Sequence, residues 1–185
     1  MRLNSPRMTV IYNACMKASK SLIRDFGEIE KLQVSAKGPG DFVTAADKRT
    51  EKIIIEELLK AHPNYGILSE EIGEINKENK DQRWIIDPID GTLNFLNGIP
   101  HFAISIGYEE KGEIVCGLIF DPIKDETFFA EKGSGAFFNN SSIIIFSVLL
   151  SAAVTKSPGP LVETWSFSIS PKSLINDLEA FTQAL

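Results

Sequence analysis

Two segments in the first third of the chain carry apolar residues at helical spacing. In the first, Met8–Phe26, apolar side chains recur every three or four residues, and Gly27 follows as a stop signal. The second begins near Thr44 and continues to Pro63, with apolar and charged positions on opposite faces. Thr44 and Asp47 resemble a capping box, although Glu or Gln is the usual third residue. The pattern therefore predicts two amphipathic helices.

After Pro63 the pattern changes to short apolar segments bounded by turn residues, which is typical of β-strands. Strands are predicted over the segments YGILSE, WIIDP, AISIGY, IVCGLIF and ETFFAEK. The charged stretch EIGEINKENKDQ lacks periodicity, so we predict an exposed loop there. The segment GSGAFF has too few glycines for a dinucleotide fingerprint and is predicted to form a β-turn. Helices followed by closely spaced strands indicate an α+β fold built of layers.

The composition changes near Asn140. The last 45 residues contain only five charged side chains, together with nine serines, and the remaining charge lies before them. We therefore predict a domain over residues 1–140, made of helices followed by an antiparallel-type sheet, and an atypical tail over residues 141–185. No internal repeat is visible.

Charge and cysteine content narrow the classes of function. The 185 residues carry a net charge of −6, and nucleic acid favours an excess of Lys and Arg, so we expect no nucleic acid as the main partner. Cys15 and Cys116 lie in no CxxC pair, which indicates a reduced, cytoplasmic location. The apolar run Ile143–Val154 is shorter than the roughly 20 residues of a membrane-spanning helix, so we expect no membrane association.

The segment WIIDPIDGTLNF ends an apolar strand at two carboxylates, those of Asp87 and Asp90. Active sites of layered α/β proteins are assembled at such strand ends, and carboxylate oxygens suit a hard cation such as Mg²⁺. Gly91 allows a sharp turn, and a helix that starts at Thr92 would offer N–H groups to an anion. Because Asp-Pro and Asp-Gly are ordinary turn formers, a plain surface turn is the alternative.

Glu70, which follows the predicted strand YGILSE, could join the same site. Alone, Glu70 and Glu71 indicate only the start of a solvated loop. If the two strand ends are neighbours, however, Glu70 lies next to Asp87 and Asp90. The mutual repulsion of such a cluster would be relieved by cations.

The segment AKGPGDFVTAAD supplies three further candidates. Lys37 precedes a Gly-Pro-Gly turn that could close over a phosphate, and the alternative is a solvated lysine. Asp41 and Asp47 lie on either side of the predicted helix start. Asp47 either caps that helix or holds a hydroxyl group or a water molecule in position.

Taken together, GDFVTAAD, ILSEE, WIIDPIDGTLNF and GAFFNN resemble, in this order and spacing, the inositol monophosphatase family of Mg²⁺-dependent, lithium-sensitive phosphatases. The match covers roughly residues 8–140. The resemblance implies the N-terminal part of a layered α/β sandwich and direct hydrolysis of a small phosphate monoester, most simply inositol monophosphate. It also implies a homodimer. The alternatives are a relative that acts on sugar bisphosphates or a phosphoadenosine nucleotide, and a non-catalytic protein that binds metal or a partner.

The resemblance also implies a role for each matched residue. The implied metal ligands are Glu70, Asp87, the backbone carbonyl of Ile89, and Asp90. The implied catalytic residues are Glu70, which would hold the attacking water, and Thr92, which Asp47 would orient. The implied substrate contacts are Asp90, Gly91 and Thr92. The implied mobile loop contains Lys37 and Asp41.

The resemblance ends near Asn140. Members of the family carry a further Asp, in a WDxAAG-like segment, that completes a second metal site, and these 185 residues contain no such segment. Trp165 is followed by Ser166, and Asp177 lies in a predicted helix. We therefore expect a C-terminal half that is truncated or disrupted, one complete metal site, and activity that is weak or lost.

Overall fold

The computed structural model describes residues 5–29, 34–38, 41–79, 81–139 and 141–143. The elements within these residues are, in chain order, α1 (Pro6–Phe26), β1 (Val34–Gly38), β2 (Asp41–Thr44), α2 (Ala45–Ala61), β3 (Gly66–Ser69), β4 (Gly73–Ile75), β5 (Gln82–Asp90), α3 (Thr92–Leu96), β6 (Ala103–Glu110), β7 (Glu113–Asp121), β8 (Glu126–Glu131), β9 (Gly135–Phe138) and β10 (Ser141–Ile143).

The first predicted helix is confirmed, and it begins two residues earlier than expected. Ser5 caps α1, and its hydroxyl oxygen accepts a hydrogen bond from the Met8 amide at 3.2 Å. Pro6 occupies the first helical position, where its missing N–H costs nothing. The helix ends before Gly27, as predicted.

The second predicted helix is also confirmed, together with its capping box. Thr44 Oγ1 accepts from the Asp47 amide at 3.1 Å, and Asp47 Oδ2 accepts from the Thr44 amide at 2.7 Å. The shorter Asp side chain therefore closes the box as Glu does elsewhere. Because Thr44 is also the last residue of β2, the chain passes directly from strand into helix.

The strands form one eight-stranded sheet and a separate hairpin of β1 and β2. The order in the large sheet is β10-β9-β8-β7-β6-β5-β3-β4. The prediction of an antiparallel-type sheet needs one correction, because β3 and β5 are parallel. Parallel pairing, with Ser69 opposite Ile86, places the C-terminal ends of both strands at the same edge of the sheet.

The five predicted strands correspond to β3, β5, β6, β7 and β8. The prediction of a loop over EIGEINKENKDQ is wrong in part, because Gly73–Ile75 forms β4 against β3. Three residues are too few for a hydrophobic alternation to be recognised, so periodicity did not reveal this edge strand. The segment GSGAFF begins in the predicted turn and continues into β9.

Both long helices pack on the sheet, α1 against β6 and β7 and α2 against β5. The largest fully buried side chains are Met8, Ile11, Leu22, Ile54, Leu58, Ile67, Trp84, Ile89, Phe95, Ile104, Ile106 and Tyr108. Each contributes about 1.5–3 kcal/mol when it leaves water. Cys15 and Cys116 are free thiols in this core, and burial raises the pKa of Cys116 to about 12.

Within the described part of the chain, no helix combines the length and apolar character needed to cross a membrane. Residues 141–143 extend the sheet as β10, paired with β9. The rest of the predicted tail, residues 144–185, lies outside the described residues. The division of the chain at residue 140 therefore stays a prediction.

Candidate active site

A β-bulge near the end of β5 places Asp87 and Asp90 on the same face of the sheet. Asp87 lies opposite Ser105 of β6 and Asp90 lies opposite Ala103, so β5 contains one extra residue between these pairs. In a regular strand, residues three apart point to opposite faces. The extra residue restores the alignment of the two carboxylates, and the two residues between them are buried.

The parallel pairing of β3 with β5 brings Glu70 to the same place. The Glu70 amide donates to the carbonyl oxygen of Ile86 at 3.2 Å, which extends the pairing by one residue beyond β3. The Glu70 side chain lies close enough to Asp87 to raise the pKa of that carboxyl group. The structure thus brings together Glu70, Asp87 and Asp90, as expected if the two strand ends were neighbours.

The three carboxyl groups strongly disfavour full ionisation of the cluster. Burial, and then the nearby charges of Glu70 and Asp90, raise the pKa of Asp87 to about 9. Burial and the charge of Glu70 raise the pKa of Asp90 to about 7. Such a cluster gains stability from a proton or from a cation.

Asp47 connects the N-terminus of α2 to this cluster. Its Oδ2 atom closes the capping box, while its Oδ1 atom accepts from the Thr92 hydroxyl group at 3.4 Å. Thr92 Oγ1 also lies 3.0 Å from the carbonyl oxygen of Ile89. Burial is the main cause that raises the pKa of Asp47, and Glu70 adds to it. Asp47 therefore both caps its helix and contacts Thr92, the two roles that the sequence left open.

Gly91 forms the turn between β5 and α3. Its φ angle of 94° is left-handed, and a Cβ atom there would lie 3.1 Å from the carbonyl oxygen of His101. The side-chain amide of Asn94 donates to that same oxygen at 2.8 Å. The predicted helix start at Thr92 is confirmed, although α3 has only five residues.

Lys37 and Asp41 lie on opposite strands of the hairpin, Lys37 in β1 and Asp41 at the start of β2. Asp41 pairs with Gly38, and the two residues between them are outside the described ranges. Because β2 leads directly into α2, this hairpin is joined to the helix that carries Asp47. A mobile loop at Lys37 and Asp41 stays a prediction.

Glu51 is a residue that the sequence analysis missed. It follows Asp47 by one helical turn in α2, and it is fully buried. Its Oε1 atom accepts from the Ser69 hydroxyl group and from the amides of Glu71 and Ile72, at 3.2 and 3.0 Å. Its other oxygen, Oε2, is buried and has no hydrogen-bond partner among the described residues. The sequence signal was an acidic residue on the apolar stripe of α2, where a buried carboxylate needs hydrogen-bond donors.

The donor types at the cluster suit Mg²⁺, which prefers carboxylate and carbonyl oxygens. As the side chains stand, no group of three or more His, Cys, Asp or Glu among the described residues is arranged to hold a metal ion. Metal binding would require these carboxylates to be ionised and turned towards the ion. Glu70 is exposed and lies on a turn, so it can make that adjustment.

Comparison with known proteins identifies the family. The sequence model described as the inositol monophosphatase family matches residues 3–177. The chain is 55% identical over 136 residues to the inositol-1-monophosphatase of Rhizobium meliloti, which covers 74% of this chain and 51% of that protein. It is 39% identical over 138 residues to the Nus factor SuhB of Vibrio cholerae, which covers 75% of this chain and 52% of that protein.

Comparison with solved structures supports the same family. The crystal structure of the extragenic suppressor protein SuhB from Bartonella henselae matches with a TM-score of 0.73 and 56% identity, over 75% of this chain and 54% of that chain. The predicted α+β fold of the inositol monophosphatase type is confirmed. The chain spans about half the length of the curated relatives it matches. On the family match and the fold together, the chain belongs to the inositol monophosphatase family.

Proposed function

We propose that this chain carries the metal-binding part of a Mg²⁺-dependent phosphatase that hydrolyses a small phosphate monoester, with inositol monophosphate as the first candidate. The observation that supports this most strongly is the convergence of Glu70, Asp87 and Asp90 at one sheet edge, two of them with raised pKa values. The name of the Rhizobium meliloti relative supports the same class of reaction.

The proposed metal ligands are Glu70, Asp87, the carbonyl oxygen of Ile89, and Asp90. A bound Mg²⁺ would neutralise phosphate charge and make a water molecule more acidic. Glu70, the exposed member of the cluster, would hold the attacking water on the solvent side. Asp47 would orient the Thr92 hydroxyl group, and that hydroxyl group would help to activate the attacking water. Hydrolysis would be direct, without a covalent phosphoenzyme.

The proposed substrate contacts are Asp90, Gly91 and Thr92. The left-handed backbone at Gly91, with a φ angle of 94°, supports this, because it lets the chain turn directly from Asp90 into the start of α3. Lys37 and Asp41, on the hairpin before α2, would close over the bound phosphate. Lithium sensitivity, a cytoplasmic location and a homodimer are parts of the same proposal, and they rest on membership of the family.

A phosphatase assay tests the proposal. The purified chain is incubated with inositol monophosphate, with and without Mg²⁺ and lithium, beside the Rhizobium meliloti relative as a full-length control. We expect phosphate release that requires Mg²⁺ and falls with lithium. Release that is indifferent to both ions would contradict the proposal. A panel with sugar bisphosphates and a phosphoadenosine nucleotide would separate the substrate alternatives.

A second candidate is a non-catalytic protein that binds metal or a partner. The relative named Nus factor SuhB favours it, because this name does not describe a phosphatase. Calorimetry separates the two candidates. Mg²⁺ binding together with silence on the whole substrate panel would favour the second one.

A further inference from the structure

The turn that carries Glu70 is tied to α2 through the buried side chain of Glu51. The turn connects β3 to β4, and its backbone bends at Glu70. Glu51 Oε1 accepts from Ser69 just before Glu70 and from the amides of Glu71 and Ile72 just after it. The amide of Glu70 itself is bonded to β5. The backbone on both sides of Glu70 is therefore held.

These bonds are costly to lose because they lie in the interior. Glu51 and Ser69 are buried, with exposed fractions of 0% and 4%. Removing the Glu51 carboxylate would leave the Ser69 hydroxyl group and two amides without their acceptor, and a buried donor without an acceptor costs about 1–3 kcal/mol. The turn would then rearrange to find water or other partners, and Glu70 would move with it.

Helix α2 thereby contacts the site at two points. Asp47 reaches Thr92 at the end of β5, and Glu51, four residues later, reaches the turn after β3. Side chains four residues apart lie on the same face of a helix. The distance between Glu70 and the other acidic residues is thus set by one rigid element that contacts both strand ends.

We propose that Glu51 is a positioning residue for Glu70: it holds the turn Ser69–Ile72 so that the Glu70 carboxylate faces Asp87 and Asp90. Glu51 touches neither substrate nor metal in this proposal. The inference rests on the proposed function, in which Glu70 is a metal ligand. It goes further by assigning metal affinity to a buried residue outside the cluster.

Two variants test the role of Glu51 in the 185-residue chain. In Glu51→Ala the acceptor is lost, whereas Glu51→Gln keeps one oxygen for the same three donors. We expect the Kd for Mg²⁺, measured by calorimetry, to rise roughly 10-fold or more in Glu51→Ala, as for other residues that orient metal ligands. Glu51→Gln should recover most of this loss.

Hydrogen exchange provides the readout that does not depend on metal. The amides of Glu71 and Ile72 should exchange faster in Glu51→Ala, while the amide of Glu70 keeps its bond to β5. Thr50→Val is the matched control, because Thr50 is buried on the same helix and its hydroxyl group has no hydrogen-bond partner among the described residues. It should leave both the Kd and the exchange of the turn unchanged.

The outcomes separate this inference from the proposed function. If Glu51→Ala does not fold, Ser69→Ala removes one of the three donors and should raise the Kd in the same direction by a smaller factor. Two results in Glu51→Ala would overturn the role of Glu51 and leave the proposed function intact. One is an unchanged Kd for Mg²⁺ despite faster exchange at the turn, and the other is unchanged exchange of the turn amides. A wild-type chain that binds no Mg²⁺ would overturn the proposed function, and this inference with it.

Discussion

The two ends of β5 differ in how their charged residues are arranged. At its N-terminal end, Arg83 forms a two-pronged ion pair with Glu109 of β6, at 2.9 and 3.1 Å. Next to it, Arg7 lies over the ring of Tyr108 at 4.6 Å and pairs with Glu110 at 2.9 Å. Opposite charges and aromatic rings meet there, and the contacts stabilise the fold.

At the C-terminal end of the same strand, like charges are brought together. Burial, and then the charges of Glu70 and Asp90, raise the pKa of Asp87 to about 9. This arrangement costs stability unless protons or cations neutralise it. In the proposed function, one end of β5 contributes to folding and the other to metal binding, and mutations at the two ends test this division.

The largest expected effect comes from removing a charge at the acidic end. Asp90→Asn should reduce Mg²⁺-dependent turnover about 100-fold or more, because a metal ligand contributes several kcal/mol of charge stabilisation. The unfolding free energy of the metal-free chain should hold or rise at pH 8, since repulsion with Glu70 is relieved. Phosphate release and urea denaturation measure the two effects. A destabilised variant would contradict the contrast between the ends.

The opposite pattern of effects is expected at the N-terminal end of β5, where Arg83 and Glu109 form an ion pair. Arg83→Met keeps the aliphatic stem and removes the guanidinium group, which leaves the Glu109 side chain, 12% exposed, without this partner. The unfolding free energy should fall by about 1.5–3 kcal/mol, the range for hydrogen bonds to charged groups. Calorimetry should give an unchanged Kd for Mg²⁺. A weaker Kd would show that the two ends of β5 are coupled.

The pH dependence of stability sharpens the same contrast. An unfolded Asp titrates near pH 3.9, whereas Asp90 and Asp87 titrate near 7 and 9 in the folded chain. Between these limits the folded state binds more protons, so the unfolding free energy should fall as pH rises, by at most about 1.4 kcal/mol per pH unit for each proton.

Urea denaturation from pH 5 to pH 9, with a chelator present, measures this slope. The stabilising contribution is complete below the unfolded pKa and is lost as pH rises through the folded values. Asp87→Asn should flatten the profile, and Mg²⁺ should reduce the slope because it replaces the protons. Stability that rises over this range would contradict the raised pKa values.

A smaller loss of stability than at Arg83 is expected at Thr92. Thr92→Val removes a hydroxyl group that contacts Asp47 at 3.4 Å and Ile89 at 3.0 Å. The unfolding free energy should fall by about 0.5–1.5 kcal/mol, whereas Mg²⁺-dependent turnover should fall by a larger factor. Thr92→Ser, which keeps the hydroxyl group, is the control and should restore turnover. Equal turnover in both variants would exclude a catalytic role for Thr92.

Much of the fold followed from local pattern. The periodicity of Met8–Phe26 and the capping box at Thr44 and Asp47 predicted both long helices, because these signals depend on neighbours within a few residues. Short apolar segments bounded by turn residues predicted β3, β5, β6, β7 and β8 for the same reason. The strands β1, β2, β4, β9 and β10, of three to five residues each, were not predicted, since such short segments carry little pattern of their own.

The residues of the candidate site were also available from the sequence, because Glu70, Asp87 and Asp90 each end an apolar run. The close approach of these three residues could not be predicted from the sequence. It requires the parallel pairing of β3 with β5 and the bulge that turns Asp87 and Asp90 to one face. Both depend on strands that are distant along the chain, and strict alternation would have placed the two Asp residues on opposite faces.

Glu51 illustrates the same limit most clearly. In the sequence it is one acidic residue on a helix, and its spacing of four from Asp47 indicates only a shared face. Folding places that face against the turn after β3, where Glu51 accepts three hydrogen bonds. Local patterns of apolar and polar residues thus specified the two long helices, five of the strands and the candidate site residues. Long-range strand pairing specified where those side chains meet, because register and burial depend on contacts between segments far apart in the chain.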